Sequence, residues 1–88
     1  MLQITYQKQF KKELEVASKR GKDAEKLKKI IEILLTEKPL PVKNRNHRLK
    51  GEFKDYWECH IEPDWLLIYK KTLTEIILVR TGSHSDLF

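Results

Sequence analysis

The sequence predicts an α+β fold in which a small antiparallel sheet, built from an N-terminal strand and a C-terminal three-strand meander, is covered on one face by an N-terminal helical hairpin. Three observations carry this expectation. Two stretches before residue 36 repeat their apolar residues at helical spacing. The chain after residue 55 is dense in β-branched and aromatic residues punctuated by turn signals, and two prolines separate the two regimes. With 88 residues, one domain spanning 1–88 is expected, because so short a chain buries only about two-thirds of its unfolded surface and has no material for a second core.

Leu2–Thr5 alternates apolar and polar residues, as a short strand joining the later sheet would. From about Gln7 the period changes: Phe10, Leu14 and Ala17 recur at helical spacing among lysines, and Gly21 stands where a helix end takes a left-handed residue. Asp23 suits the N-cap of a second helix, whose Leu27, Ile30, Ile31, Leu34 and Leu35 form an apolar stripe. Pro39 and Pro41 end it, since proline disfavours helical geometry in the residue before it and lacks the next donor. A tight link between the helices implies an antiparallel hairpin with both stripes packed on the sheet, and core packing is reason enough for them.

Pro39–Asp55 reads as a loop-like centre. Lys43, Arg45, Arg48, Lys50 and Lys54 lie there among Asn44, Asn46 and Gly51, with Glu52 as the one acidic residue from Lys43 to Lys54. Such a strip is a candidate phosphate contact, although charge runs are more often solvated surface. Beyond it, Tyr56–Ile61 and Trp65–Lys70 flank Glu62-Pro63-Asp64, where proline fixes φ and aspartate bonds its own backbone, so a hairpin is expected. A second reversal at Lys71–Thr74 returns the β-branched run Glu75–Thr81 as a third strand. This meander would gather His60, Asp64, Trp65, His84 and Phe88 at one edge, with His47 in the basic stretch before it.

Lysine and arginine number 18 against 13 aspartates and glutamates, a net charge of +5 that favours polyanionic or acidic partners. Apolar runs of only a few residues exclude a membrane helix. The single cysteine, Cys59, excludes an intrachain disulfide, and the N-terminus lacks the apolar core of a signal peptide, so a cytoplasmic location is expected. Strand alternation sends Cys59 to the face opposite His60, where it packs as a small hydrophobe.

His47, His60 and His84 are the side chains whose ordinary pKa lies near neutrality. Cleaving RNA through its own 2′-hydroxyl needs a base for that hydroxyl, an acid for the departing 5′-oxygen and cations for the charge at phosphorus, and imidazoles, a carboxylate and an arginine fit that list. The histidines lack the short spacing of a zinc site, so no metal or other cofactor is expected. Trp65 and Phe88 flank the histidines as core plugs or as rings for stacking a base; Trp65 is expected to be partly core and Phe88 the better stacking candidate. Composition also admits a non-catalytic basic RNA-binding module or a protein-interaction domain.

HRLKG (His47–Gly51), ECHIEPDWLLIY (Glu58–Tyr69) and RTGSHSDLF (Arg80–Phe88), together with the two lysine-rich helices, resemble the YafQ branch of the RelE/ParE toxin superfamily over essentially the whole chain. The resemblance implies a RelE-like fold and a ribosome-dependent, metal-independent endoribonuclease that cuts messenger RNA in the ribosomal A site. It also implies an antitoxin partner of the DinJ/RelB kind, expected to be acidic. Carried over by motif, the functional set is His47, His60, Asp64, His84 and Phe88. His84 is expected as the acid, His60 or His47 as the base, and Asp64 as the group that orients or helps to charge an imidazole. Many relatives carry arginine where this chain has Trp57, which leaves Arg80 and Lys50, with Arg48 and Lys54 of the basic strip, as expected phosphate contacts. The ParE-like gyrase poisons share the fold without this histidine set and form the alternative.

Overall fold

The computed structural model describes residues 1–88, with Phe53 described by its backbone alone. Five strands, β1 (Gln3–Tyr6), β2 (His47–Arg48), β3 (Trp57–Glu62), β4 (Trp65–Lys71) and β5 (Glu75–Gly82), form one sheet in the order β1-β5-β4-β3-β2. Three helices, α1 (Lys8–Lys19), α2 (Ala24–Leu35) and α3 (His84–Leu87), complete the chain, with 3₁₀ turns at Val42–Asn44 and Gly51–Phe53.

Local chemistry sets the helix ends. Gly21 takes φ 85° at the end of α1, and the Lys22 backbone N–H reaches back to the Ala17 carbonyl at 3.0 Å. Asp23 then caps α2, its Oδ1 accepting from the Glu25 N–H at 2.9 Å. The second helix ends before the prolines: Glu37 adopts φ 58° and the Lys38 N–H donates to the Ile33 carbonyl at 3.2 Å, so a left-handed residue closes it two positions ahead of Pro39.

Phe10 and Ala17 of α1 and Leu27, Ile30 and Leu34 of α2 pack on Cys59, Ile61, Trp65, Leu67, Tyr69, Ile76 and Leu78 of the sheet. The helices thus cover one face, as the stripes require. Two points of the expected architecture are corrected. The sheet is mixed, because β1 pairs in parallel with β5 from Gln3↔Glu75 to Tyr6↔Leu78. A strand separated from its partner by helices is not constrained to run antiparallel as one joined by a hairpin is. Second, part of the expected loop is a strand: His47 and Arg48 pair with Glu58 and Trp57 on the outer edge of β3.

Candidate active site

The site rests on the end of β5, where the chain turns into α3. Ser83 caps this single turn by a reciprocal pair: its hydroxyl accepts from the Asp86 N–H at 3.2 Å, and the Asp86 carboxylate accepts from the Ser83 N–H at 2.9 Å. Arg20, at the end of α1, donates to the same carboxylate at 2.7 Å and ties α3 to the helical layer. Gly82 is buried beneath: a Cβ there would lie 3.0 Å from the Asp86 Cβ.

Held in this way, His84 meets Asp64 of the β3–β4 turn. Asp64 Oδ1 accepts from the His84 backbone N–H at 2.9 Å and lies 2.6 Å from its Nδ1. The backbone N–H and then the ring hold the Asp64 carboxyl below its ordinary value, so it is ionised at neutral pH and can only accept. The Nδ1 of His84 therefore carries hydrogen, and Nε2 is the nitrogen left to exchange a proton with a ligand.

The His60 ring stands edge-on to His84, with centroids 5.5 Å apart. Its backbone carbonyl accepts from Asn44 Nδ2 at 2.7 Å, which ties the 3₁₀ turn before β2 to β3. On the same face of β3 as His60, the Glu58 carboxylate lies 3.6 Å from His60 Nε2 and 3.5 Å from His47 Nε2. His47 reaches it through the β2–β3 pairing, and its Nδ1 contacts the Arg45 carbonyl at 2.6 Å. Cys59 points the other way into the core, where burial pushes its thiol up to about 12. Two clefts flank the histidines: one of about 540 Å³ is lined by Arg20, Asp64 and Ser83, and one of about 510 Å³ by Lys29, Lys43 and His60.

Two of the expected ligand contacts are engaged within the protein. Trp65 is 1% exposed and its indole N–H donates to the Thr81 hydroxyl at 2.9 Å, so it has no ring face open to a base. Arg80 is held by Glu13 of α1 through its Nε at 3.2 Å and its Nη2 at 2.6 Å, so its charge is shared with a carboxylate of the helical layer. Phe88, by contrast, is 63% exposed at the end of α3. Lys50 and Lys54 are exposed, and Arg48 lies over the Trp57 ring at 5.9 Å while donating to the Lys54 carbonyl at 3.2 Å. Sequence reasoning missed Glu58. The alternation that sends Cys59 away from His60 also places Glu58 beside it, and that was the available signal. Among the described residues no three His, Cys, Asp or Glu side chains form a group able to hold a metal ion.

Comparison with known proteins agrees with this fold. The mRNA interferase toxin YafQ of Escherichia coli (strain K12) is 43% identical over 86 residues, covering 97% of this chain and 94% of that protein. The E. coli toxin in the DinJ–YafQ toxin–antitoxin complex superposes with a TM-score of 0.92 at 42% identity, covering 99% of this chain and 97% of that one. A metal-bound toxin from Helicobacter pylori superposes at 0.94 with 46% identity over all of both chains. Residues 2–88 match the family described as the bacterial toxin of type II toxin–antitoxin systems, YafQ, and the chain belongs to that family.

Proposed function

We propose that this toxin is a ribosome-dependent endoribonuclease, a single domain of residues 1–88, that cleaves messenger RNA by metal-independent acid and base catalysis. The observation that carries the reading is the facing pair His60 and His84, 5.5 Å apart, with His84 oriented by Asp64 at 2.6 Å. His60 takes the proton of the 2′-hydroxyl, whose oxygen bonds to phosphorus. The bond from phosphorus to the 5′-oxygen breaks, and that oxygen receives a proton from His84 Nε2. The products are a 2′,3′-cyclic phosphate and a 5′-hydroxyl. Arg48, Lys50 and Lys54 supply positive groups along the phosphates, and Phe88 offers its exposed ring to an unpaired base.

Messenger RNA as the substrate is supported by the mRNA interferase of E. coli, and an antitoxin partner by the DinJ complex of that toxin. The net charge of +5 suits an acidic antitoxin and a ribosomal surface. None of the described helices is long and apolar enough to cross a membrane, and the cytoplasm, where ribosomes are, is the proposed location. Primer extension on a reporter messenger RNA tests the reading, with wild-type protein and His84→Ala and with purified ribosomes present or absent. Codon-phased cuts that need both ribosomes and His84 are expected. Growth arrest without cuts would overturn it in favour of a gyrase poison or a non-catalytic RNA-binding module.

A further inference from the structure

Glu58 is a carboxylate withdrawn from solvent, 6% exposed, whose polar contacts among the described residues are two imidazoles. The same Oε1 faces His47 Nε2 at 3.5 Å and His60 Nε2 at 3.6 Å. These separations are too long for strong hydrogen bonds, so the carboxylate acts through its charge, which favours hydrogen on each facing nitrogen. A buried carboxylate needs compensating donors, and these two rings are what the fold supplies.

The rings differ at their other nitrogens. His47 Nδ1 contacts the Arg45 carbonyl oxygen at 2.6 Å; a carbonyl only accepts, so that nitrogen carries hydrogen and points away from any ligand. Both nitrogens of His47 are thereby committed to the protein. His60 Nδ1 has no partner among the described residues.

Resting on the ribonuclease reading above, we propose that Glu58 is a positioning residue that decides which histidine is the base. It holds His60 in the tautomer with hydrogen on Nε2, so that Nδ1 presents the lone pair to the 2′-hydroxyl. It also occupies the one nitrogen through which His47 would compete. In other enzymes a buried carboxylate that fixes a histidine tautomer can be worth as much as roughly 10⁴ in kcat; the longer contacts here set a smaller expectation.

The test is Glu58→Gln, close in shape but without the charge, with Glu58→Asp as the conservative partner. Long-range proton–nitrogen spectra of the histidine rings read the tautomer in the free proteins, and ribosome-bound message cleavage reads kcat and KM. Wild type is expected to show neutral His60 with hydrogen on Nε2. Glu58→Gln is expected to lose that preference and at least about tenfold in kcat with KM little changed, and Glu58→Asp to recover part of both. Wild-type His60 with hydrogen on Nδ1, or Glu58→Gln with unaltered tautomer and kcat, would overturn the proposal. Should Glu58→Gln fail to fold, the wild-type spectrum and Glu58→Asp decide. A wild-type protein that makes no cuts would defeat the ribonuclease reading, while the spectra still judge Glu58.

Discussion

His84 gives one nitrogen to Asp64 and keeps the other free, so removing the ring and removing the carboxylate have different consequences. His84→Ala is expected to lower single-turnover cleavage of ribosome-bound message by about 10²- to 10⁴-fold. Asp64→Asn, which keeps the shape but loses the charge, is expected to lower it less. Near-normal cleavage by His84→Ala beside a dead Asp64→Ala would contradict these roles. Cys59 has a simpler test: with its thiol pushed up to about 12 by burial, the native protein at pH 8 should react with a thiol reagent at least ~100-fold more slowly than the unfolded chain. Equal rates would show that Cys59 is not enclosed. The nearness of His60, Asp64 and His84 is legible in the sequence because the turn residues of the three-strand meander bring its strand ends to one edge. The fates of Trp65 and Arg80 are not, because they depend on Thr81, sixteen residues away, and on Glu13, sixty-seven residues away. No local pattern reports such partners.

Among the elements, α3 has the least material for its task, a single turn that carries His84 and Phe88. Its seat depends on Gly82, and Gly82→Ala would force a Cβ to within 3.0 Å of Asp86. Urea unfolding should show a loss of about 1–3 kcal/mol, as overpacking gives, and cleavage should fall as His84 shifts from Asp64. A variant as stable and as active as wild type would mean that α3 yields without cost. Both helices and the three-strand meander are legible because apolar spacing and turn residues encode them along the chain. The direction of β1 and the existence of β2 are not. Each is settled by an edge of the sheet that offers unpaired backbone groups, and two residues of strand at His47–Arg48 give too short a pattern to read.

For the molecule as a whole, charge sets both association and acid stability. Charge reversal at Lys50 and Arg48 should weaken ribosome binding and lower the slope of log affinity against log salt by about 0.7–0.9 for each phosphate no longer neutralised. An unchanged slope would remove these residues from the interface. Asp64, Asp86 and Glu62 are all held below their ordinary values, by the His84 N–H, by Arg20 and by Lys26 respectively. Their folded-state values lie below the unfolded ones, so their contribution is present above about pH 4 and is lost as pH falls through the folded values. Acid unfolding of Asp64→Asn should therefore show a shallower loss of stability below that pH than wild type does. The proposed attack by the 2′-hydroxyl is tested most directly at the 3′ end of the upstream fragment. Mass analysis after brief cleavage on ribosomes is expected to find a 2′,3′-cyclic phosphate, paired with a 5′-hydroxyl downstream. A 3′-hydroxyl paired with a 5′-phosphate would mean that water attacks phosphorus, and would contradict the account.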